Sequence, residues 1–150
     1  MQGLIDSGKY KVTEVLRSHT GYEAALCSEV TLNDGTGFIV NEYSSMVYIK
    51  ELLPLFYEMD KRRFHGFRGL LTSSGSFSAM FVYRSGIAFR EYFAEHSREY
   101  ENSLKLADSL LCGSLEFDLA DDRIAACGLC EENAVVDAGD MRVYFNMLLD

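Results

Sequence analysis

Hydrophobic and polar residues alternate along the first half of the chain in the manner of β-strands. The spacing predicts five strands at Tyr10–Leu16, Tyr22–Leu32, Gly37–Tyr43, Phe64–Thr72 and Phe77–Tyr83. The second and third predicted strands flank an Asn-Asp-Gly turn at residues 33–35, and the last two flank Ser-Ser-Gly at residues 73–75. These short turns predict an antiparallel arrangement.

A helical period interrupts the strands between Met46 and Met59. Its apolar positions recur at helical spacing, and they are Val47, Ile49, Leu52, Leu53, Phe56 and Met59. Pro54 lies inside this stretch, where it removes a backbone donor and clashes with the preceding turn. We therefore expect a kink at Pro54 or a helix that restarts there.

Helical spacing dominates the second half of the chain. A short helix is predicted at Ile87–Glu95, and a longer one is predicted to be capped by Ser97 and ended by Gly113. An irregular acidic loop is expected next, followed by a hairpin of Ala134–Asp137 and Met141–Phe145. One face of the longer helix carries an apolar stripe of Tyr100, Leu104, Ala107 and Leu111.

Composition and charge narrow the functional classes. The 150 residues are 48% hydrophobic with one proline, which indicates a globular chain of about one domain. A net charge of −9 disfavours nucleic acid and anionic membrane surfaces as direct partners. The basic run Lys61–Arg63 is interpreted as a solvated helix end.

The ends and cysteines of the sequence point to a cytoplasmic protein. The N-terminus lacks the charged and apolar regions of a secretory signal, and no apolar run approaches the roughly 18 residues of a membrane span. The four cysteines are then expected to be reduced thiols. A cytoplasmic domain of a larger, membrane-anchored protein fits the same observations.

Two segments carry a resemblance to a known family. Residues 81–93 (FVYRSGIAFREYF) look like a segment that commonly has the form V-x-E-Y-x-x-G-x-L-x-x-Y-L, and residues 128–150 keep the spacing D-x-K-x-x-N, strand, turn, strand, D-F-G. The chain thus resembles a degenerate protein kinase, truncated after the D-F-G-equivalent position. The resemblance implies an α+β fold: a small lobe at residues 1–83, with a five-stranded antiparallel sheet and one helix, and a partial helical large lobe with a β-hairpin at residues 84–150. Both parts are expected to form one compact unit.

The closing segment keeps the spacing of the family but not its chemistry. By the resemblance, Gly128 stands at the catalytic aspartate, Cys130 at the lysine of the catalytic loop and Asn146 at the D-F-G aspartate. Asn133 alone keeps the family identity. Two amides without a carboxylate make a poor Mg²⁺ site, so we expect both asparagines to bond the local backbone.

The small lobe shows the same loss at the positions that handle phosphate. The turn that matches the glycine-rich loop keeps only Gly21, which is interpreted as an ordinary turn glycine. Asn41 replaces the strand-three lysine that pairs with the phosphates, and Glu51 matches the glutamate of the following helix. Without the lysine, Glu51 is interpreted as a solvated helix residue.

The resemblance leads to a first hypothesis of a pseudokinase-like scaffold that is not an enzyme. In this hypothesis the domain holds no cofactor or metal. It binds a protein partner through its acidic surface, which suits a partner with a basic surface. Pseudokinases of bacterial type VII secretion are an analogy at the level of the family. The alternative hypothesis is a regulatory domain that binds nucleotide between its lobes, through hinge backbone groups of Val82, Tyr83, Arg84 and Ser85.

A third hypothesis rests on the C-x-x-C of Cys127 and Cys130, which has the C-G-x-C form of thioredoxin-like proteins. Such motifs work at a helix N-terminus, and the acidic residues Glu131 and Glu132 disfavour a thiolate here. A zinc site would need Cys27, Cys112 and histidines to converge with these residues, and no second C-x-x-C supports that.

Overall fold

The computed structural model of this chain describes residues 8–30, 36–59, 64 and 66–150. The turn predicted at residues 33–35 and the basic run at residues 61–63 lie outside the described residues. The chain forms two compact units, Met1–Tyr83 with Asp150 and Arg84–Leu149. Asp150 joins the first unit because its Oδ2 accepts a hydrogen bond of 2.9 Å from Arg17 Nη1.

The first unit is built on a five-stranded antiparallel sheet of order β1-β2-β3-β5-β4. The strands are β1 (Tyr10–His19), β2 (Tyr22–Glu29), β3 (Gly37–Tyr43), β4 (Phe67–Ser73) and β5 (Ser76–Tyr83). All five predicted strands are confirmed. β1 extends past its predicted end at Leu16, and β4 begins at Phe67 rather than Phe64.

Helix α1 (Met46–Glu58) contributes Phe56 to the core of the first unit. Ser45 caps the helix with its Oγ, which accepts a hydrogen bond of 3.3 Å from the Val47 N–H. Phe56 is 1% exposed and packs 5.8 Å from Phe77 between ring centroids. The helix is continuous through Pro54, so of the two outcomes expected at that residue, a kink or a restart, the restart does not occur.

The second unit combines short helices with a small three-stranded sheet of order β6-β7-β8. Its helices are α2 (Phe89–His96), α3 (Tyr100–Ser114) and α4 (Asp122–Gly128), with 3-10 turns at Leu115–Leu119 and Glu131–Asn133. Its strands are β6 (Ile87–Ala88), β7 (Ala134–Asp137) and β8 (Arg142–Phe145). The predicted hairpin is confirmed, and β6 adds a third strand to it.

Several boundaries in the second unit differ from the prediction. Residues 87–88 form a strand and not the first turn of a helix, because they pair with Val135 and Val136. The N-cap of α3 is Glu99 rather than Ser97, and Gly113 lies inside the helix. The supposed acidic loop contains α4, whose Asp121 cap accepts a 3.0 Å hydrogen bond from the Arg123 N–H.

Helix α3 turns a different face inward than its apolar stripe suggests. Leu106 is fully buried, and it packs in a core cluster with Tyr92, Ala134, Val136 and Val143. The predicted stripe of Tyr100, Leu104, Ala107 and Leu111 lies on the exposed side. The small sheet, with α2, therefore provides the core against which α3 folds.

Candidate functional site

The side chain of Asn146 binds both backbone groups of one distant residue. Its Oδ1 accepts a hydrogen bond of 2.8 Å from the Arg84 N–H, and its Nδ2 donates one of 2.9 Å to the Arg84 carbonyl. Asn146 is 7% exposed, so these bonds replace the water that its amide loses on burial. The amide thereby joins residues 62 positions apart in the sequence.

Asn133 holds the segment around it in the same way. Its Nδ2 donates to the carbonyls of Cys127 at 3.0 Å and Leu148 at 3.2 Å, and its Oδ1 accepts from the Leu148 N–H at 3.1 Å. The Asn146 N–H donates to the Asn133 carbonyl at 2.8 Å. Both side chains bond backbone groups, but Asn146 bonds the distant Arg84 and not the local backbone that the sequence predicts. The amide oxygens of both asparagines already accept hydrogen bonds.

Gly128 is buried at the end of α4 against an aromatic ring. A Cβ at this position would lie 2.2 Å from Phe117 Cε1 and 3.2 Å from Met147 Cε. Phe117 is 4% exposed and Met147 is 2% exposed, so neither side chain borders open space. A side chain of any kind at Gly128 would have to displace a packed core residue.

Asn41 lies in the core of the first unit and is completely buried. Its Oδ1 accepts a hydrogen bond of 2.7 Å from the Tyr22 hydroxyl. Glu51, on α1, is exposed, in agreement with the interpretation of a solvated helix residue. A neutral amide and a tyrosine thus occupy the sheet position at which the kinase resemblance expects a lysine.

Gly21 serves the turn between β1 and β2. Its φ of +84° lies in the left-handed region, and a Cβ would lie 2.7 Å from the Cβ of Ser45. Its carbonyl accepts a hydrogen bond of 2.9 Å from the Ser44 N–H. Turn geometry and the close approach to Ser45 fully account for this glycine.

The four predicted hinge residues divide between the two units. In the first, Val82 and Tyr83 end β5, where the Val82 N–H donates to the Gly66 carbonyl at 2.8 Å. In the second, Arg84 is bound by Asn146, and its guanidinium lies 5.4 Å from the centre of the Tyr144 ring. Ser85 follows Arg84 and is exposed. The backbone N–H groups of Val82 and Arg84 are therefore already used within the protein.

The C-x-x-C lies at the wrong end of a helix for thiol activation. Cys127 is in the last turn of α4, and Cys130 follows that helix. The C-terminus of a helix carries a partial negative charge, which disfavours a thiolate. Cys130 is exposed, as are the neighbouring Glu131 and Glu132.

The described part of the chain contains neither a candidate metal site nor a candidate membrane-spanning helix. Within it, no group of three or more His, Cys, Asp or Glu side chains is placed to hold a metal ion. None of the helices found there is long and apolar enough to cross a membrane.

The fold of this chain is similar to that of solved protein kinase structures. The kinase domain of PknI from Mycobacterium tuberculosis matches with a TM-score of 0.58 and 16% identity, over 93% of this chain and 59% of that domain. The kinase PK-1 of the Cydia pomonella granulovirus matches with a TM-score of 0.57 and 12% identity, over 96% of this chain and 55% of that one. No protein-family model and no curated protein matches the sequence.

The chain has a protein kinase-like fold. It spans less than two thirds of the length of either kinase. The predicted α+β fold class is confirmed, with the five-stranded antiparallel sheet in the first unit and the helices with the small sheet in the second.

Three neutral residues are the ones for which the resemblance in the sequence expects a charge. These are Asn41, Gly128 and Asn146. Each is engaged in packing or in hydrogen bonds inside its own unit. The contacts of Phe117 with Gly128 and of Arg84 with Asn146 could not be predicted from the sequence, because the partners lie far apart along the chain.

Proposed function

We propose that this chain is a non-catalytic, kinase-like domain that works through protein–protein contacts. Phosphoryl transfer depends on positioning and on charges that neutralise the phosphates and activate the acceptor hydroxyl. The corresponding positions of this chain hold an amide at Asn41, an amide at Asn146 and no side chain at Gly128. The domain keeps the frame of a kinase without the groups that perform the reaction.

The packing of Gly128 is the observation that carries this proposal. In an active site that had lost only its aspartate, open space would remain where the carboxylate stood. Here the Phe117 ring lies 2.2 Å from the position of a Cβ on Gly128. The second unit is thus built around a glycine at this site, which supports a role that does not use a carboxylate there.

The partner that best fits this chain is a protein with a basic surface. The net charge of −9 favours fast encounter with positive partners and repels acidic ones. We propose a cytoplasmic scaffold role, in which the domain belongs to a larger assembly. Binding to a basic partner should weaken steeply as ionic strength rises, because exposed charges are screened within about 10 Å at 0.1 M salt.

A phosphotransfer assay tests the absence of catalysis. The protein is incubated with labelled ATP, a basic acceptor protein and Mg²⁺ or Mn²⁺, and label on the acceptor and on the chain itself is counted. We expect no transfer above the level of a heat-denatured sample. Clear turnover that disappears in Asn146→Ala contradicts the proposal, whereas turnover unchanged by that substitution indicates a contaminating kinase.

Nucleotide binding without transfer is the second candidate function, and the kinase-like fold is the observation that favours it. The donors at Val82 and Arg84 are engaged inside the protein, which lowers the number of hinge groups open to an adenine. Thermal unfolding with millimolar ATP or ADP distinguishes the two candidates, because a ligand of the folded state raises the melting temperature. The scaffold proposal expects no shift, and a saturable shift supports a nucleotide-binding regulator.

A further inference from the structure

Two basic side chains of β1 hold a carboxylate that comes from far along the chain. Arg17 Nη1 donates a hydrogen bond of 2.9 Å to Asp150 Oδ2, and His19 Nε2 lies 2.5 Å from Asp150 Oδ1. The carboxylate is 133 positions from Arg17 and 131 from His19, and all three residues belong to the first unit. Each oxygen of the carboxylate therefore has its own donor, an arrangement that fixes both the position and the plane of an oxyanion.

The hydrogen in the contact between His19 and Asp150 belongs to the imidazole. An ionised carboxylate only accepts hydrogen bonds, so His19 Nε2 is the donor. Burial opposes the ionisation of Asp150, but the hydrogen bonds from His19 and Arg17 outweigh burial and hold the pKa of its carboxyl below the ordinary value. The two side chains thus direct N–H groups at a bound negative charge, as a site for an external oxyanion must also do.

The pairing of β1 with β2 arranges these donors. Arg17 and His19 are two residues apart on one strand, so their side chains lie on the same face of the sheet. Opposite them on β2 are Ala24 and Tyr22. The rings of His19 and Tyr22 lie 5.1 Å apart between centroids, and the Tyr22 hydroxyl is bound to Asn41. Because a buried tyrosine supports the imidazole, a ligand would not have to order it.

The donors are within reach of solvent. The side chain of Arg17 is 36% exposed, that of His19 39% and that of Asp150 29%. An exposed ion pair of this kind contributes only about 0 to 1 kcal/mol, so its carboxylate can be displaced by a better anion. A phosphate monoester is such an anion, because it carries a charge of about −1.5 to −2 at pH 7 and three acceptor oxygens. Guanidinium groups match the oxygens of carboxylates and of phosphates equally well.

We propose that Arg17 and His19 form a binding site for a phosphate group, and that the carboxylate of Asp150 occupies this site as an internal competitor. The proposal goes beyond the scaffold role, since it assigns a class of ligand to the first unit. The charge of the chain does not oppose it. Asp and Glu are nearly balanced by Lys and Arg in residues 1–83, whereas they outnumber Lys and Arg about two to one in residues 84–149.

Titration with inorganic phosphate at constant ionic strength, followed by the imidazole NMR signals of the whole chain, tests the competition. Asp150→Asn should tighten the apparent dissociation constant about tenfold, because a site that is filled in about nine of ten molecules binds about ten times more weakly than a free one. The signal of His96 is the internal control, since this residue lies in the second unit. Equal affinities of the original protein and Asp150→Asn overturn the proposal, as does a His19 signal that shows no saturable shift at tens of millimolar phosphate.

A second substitution tests the donor. In the Asp150→Asn background, Arg17→Gln should weaken phosphate binding by about tenfold or more, because a charge-assisted hydrogen bond is lost. Lys11→Gln is the matched control, since it removes one positive charge from an exposed position of the same strand, and it should change the affinity by less than about twofold. Equal losses in the two variants would mean unspecific attraction and would overturn the proposal.

Competition against inorganic phosphate in Asp150→Asn distinguishes the sources of the phosphate group. Displacement by phosphoserine indicates a phosphorylated protein, displacement by ADP indicates a nucleotide, and displacement by neither overturns a site for phosphate esters. Binding at Arg17 and His19 uses no group that transfers phosphate. A negative result here therefore leaves the scaffold proposal intact, and phosphotransfer by the protein would leave this site intact.

Discussion

The amide of Asn146 and the peptide groups of Arg84 form a reciprocal pair of hydrogen bonds. The bond lengths of 2.8 and 2.9 Å are those of two strong backbone-type bonds, although one partner is a side chain. The pair ties Asn146, near the end of the second unit, to Arg84, its first residue. Asn146 therefore has a structural role that an aspartate could not fill.

Asn146→Asp should destabilise the protein even though it restores the residue of the family motif. A carboxylate accepts from the Arg84 N–H but cannot donate to the Arg84 carbonyl, which leaves two acceptors face to face in a buried place. We expect a loss of about 2 to 3 kcal/mol in the free energy of unfolding, measured by urea titration at pH 7. The loss should shrink at acid pH, where a protonated carboxyl again donates.

Asn102→Asp is the matched control for this substitution. Asn102 is a half-buried residue in the first turn of α3, and its Nδ2 donates a hydrogen bond of 3.0 Å to Oε2 of the exposed Glu99. The Asn102→Asp substitution should change the free energy of unfolding by no more than about 0.5 kcal/mol. Equal effects at both positions would contradict the role assigned to the Asn146 amide.

Gly128→Ala should lower the free energy of unfolding because the added methyl group would clash with the ring of Phe117. The added methyl would lie 2.2 Å from Phe117 Cε1, far inside normal contact distance. Overpacking of this kind costs about 1 to 3 kcal/mol, which chemical denaturation can measure. In a Phe117→Leu background the same substitution should cost less, and the difference is the coupling energy between the two sites. Gly66→Ala, whose Cβ would lie 3.5 Å from its nearest neighbour, is the control and should be nearly neutral.

Tyr22→Phe should weaken the core of the first unit. The substitution removes the hydroxyl that donates to Asn41 Oδ1 at 2.7 Å inside the protein. The loss of a buried hydrogen bond predicts a decrease of about 1 to 2 kcal/mol in the free energy of unfolding. Tyr57→Phe removes the same hydroxyl from a ring that is 66% exposed, and it should change stability by less than about 0.5 kcal/mol. A similar effect at the two tyrosines would show that the bond to Asn41 contributes nothing.

Cys27 should confer a stability that declines at alkaline pH. Burial raises the pKa of the Cys27 thiol to about 11, from an ordinary value of 9.0. A raised pKa means that the folded state holds the proton more tightly, so the contribution is complete below pH 9 and falls as the pH rises towards 11. Urea titrations between these values should show a steeper decline for the original protein than for Cys27→Ala.

Thiol labelling provides an independent measurement on the same residue. At neutral pH the exposed Cys112 and Cys130 should react rapidly with a disulfide reagent, and Cys27 only on unfolding. Cys112→Ala removes one fast-reacting thiol and should leave the alkaline decline in stability unchanged. Rapid labelling of Cys27 in the folded protein would contradict its burial.

The strands could be predicted from the sequence because their signal is local. The predicted strand Gly37–Tyr43 has the observed bounds, since glycine precedes its run of β-forming residues and two serines follow it. Helix α4 was missed because it is short and buries only Ile124 and Gly128, so it shows no apolar period. Its cap at Asp121 was the one signal in the sequence that indicated a helix start there.

The candidate site was predicted only as far as residue types allow. The residue types at Asn41, Gly128 and Asn146 are enough to propose which charges of the kinase motifs are missing. What took their place depends on contacts between distant positions, such as Phe117 against Gly128 and Arg84 against Asn146. The exposed side of α3 could not be predicted either. The helix has two apolar faces, and tertiary packing determines that the face with Leu106 is the buried one.

The ring of Phe117 against Gly128 also couples two positions of the second unit. Any side chain at position 128 would lie against Phe117, and a smaller residue at position 117 would leave a void beside Gly128. Each single substitution is therefore unfavourable, and only a combined change preserves the packing. The two positions are expected to vary together, or not at all, among related sequences.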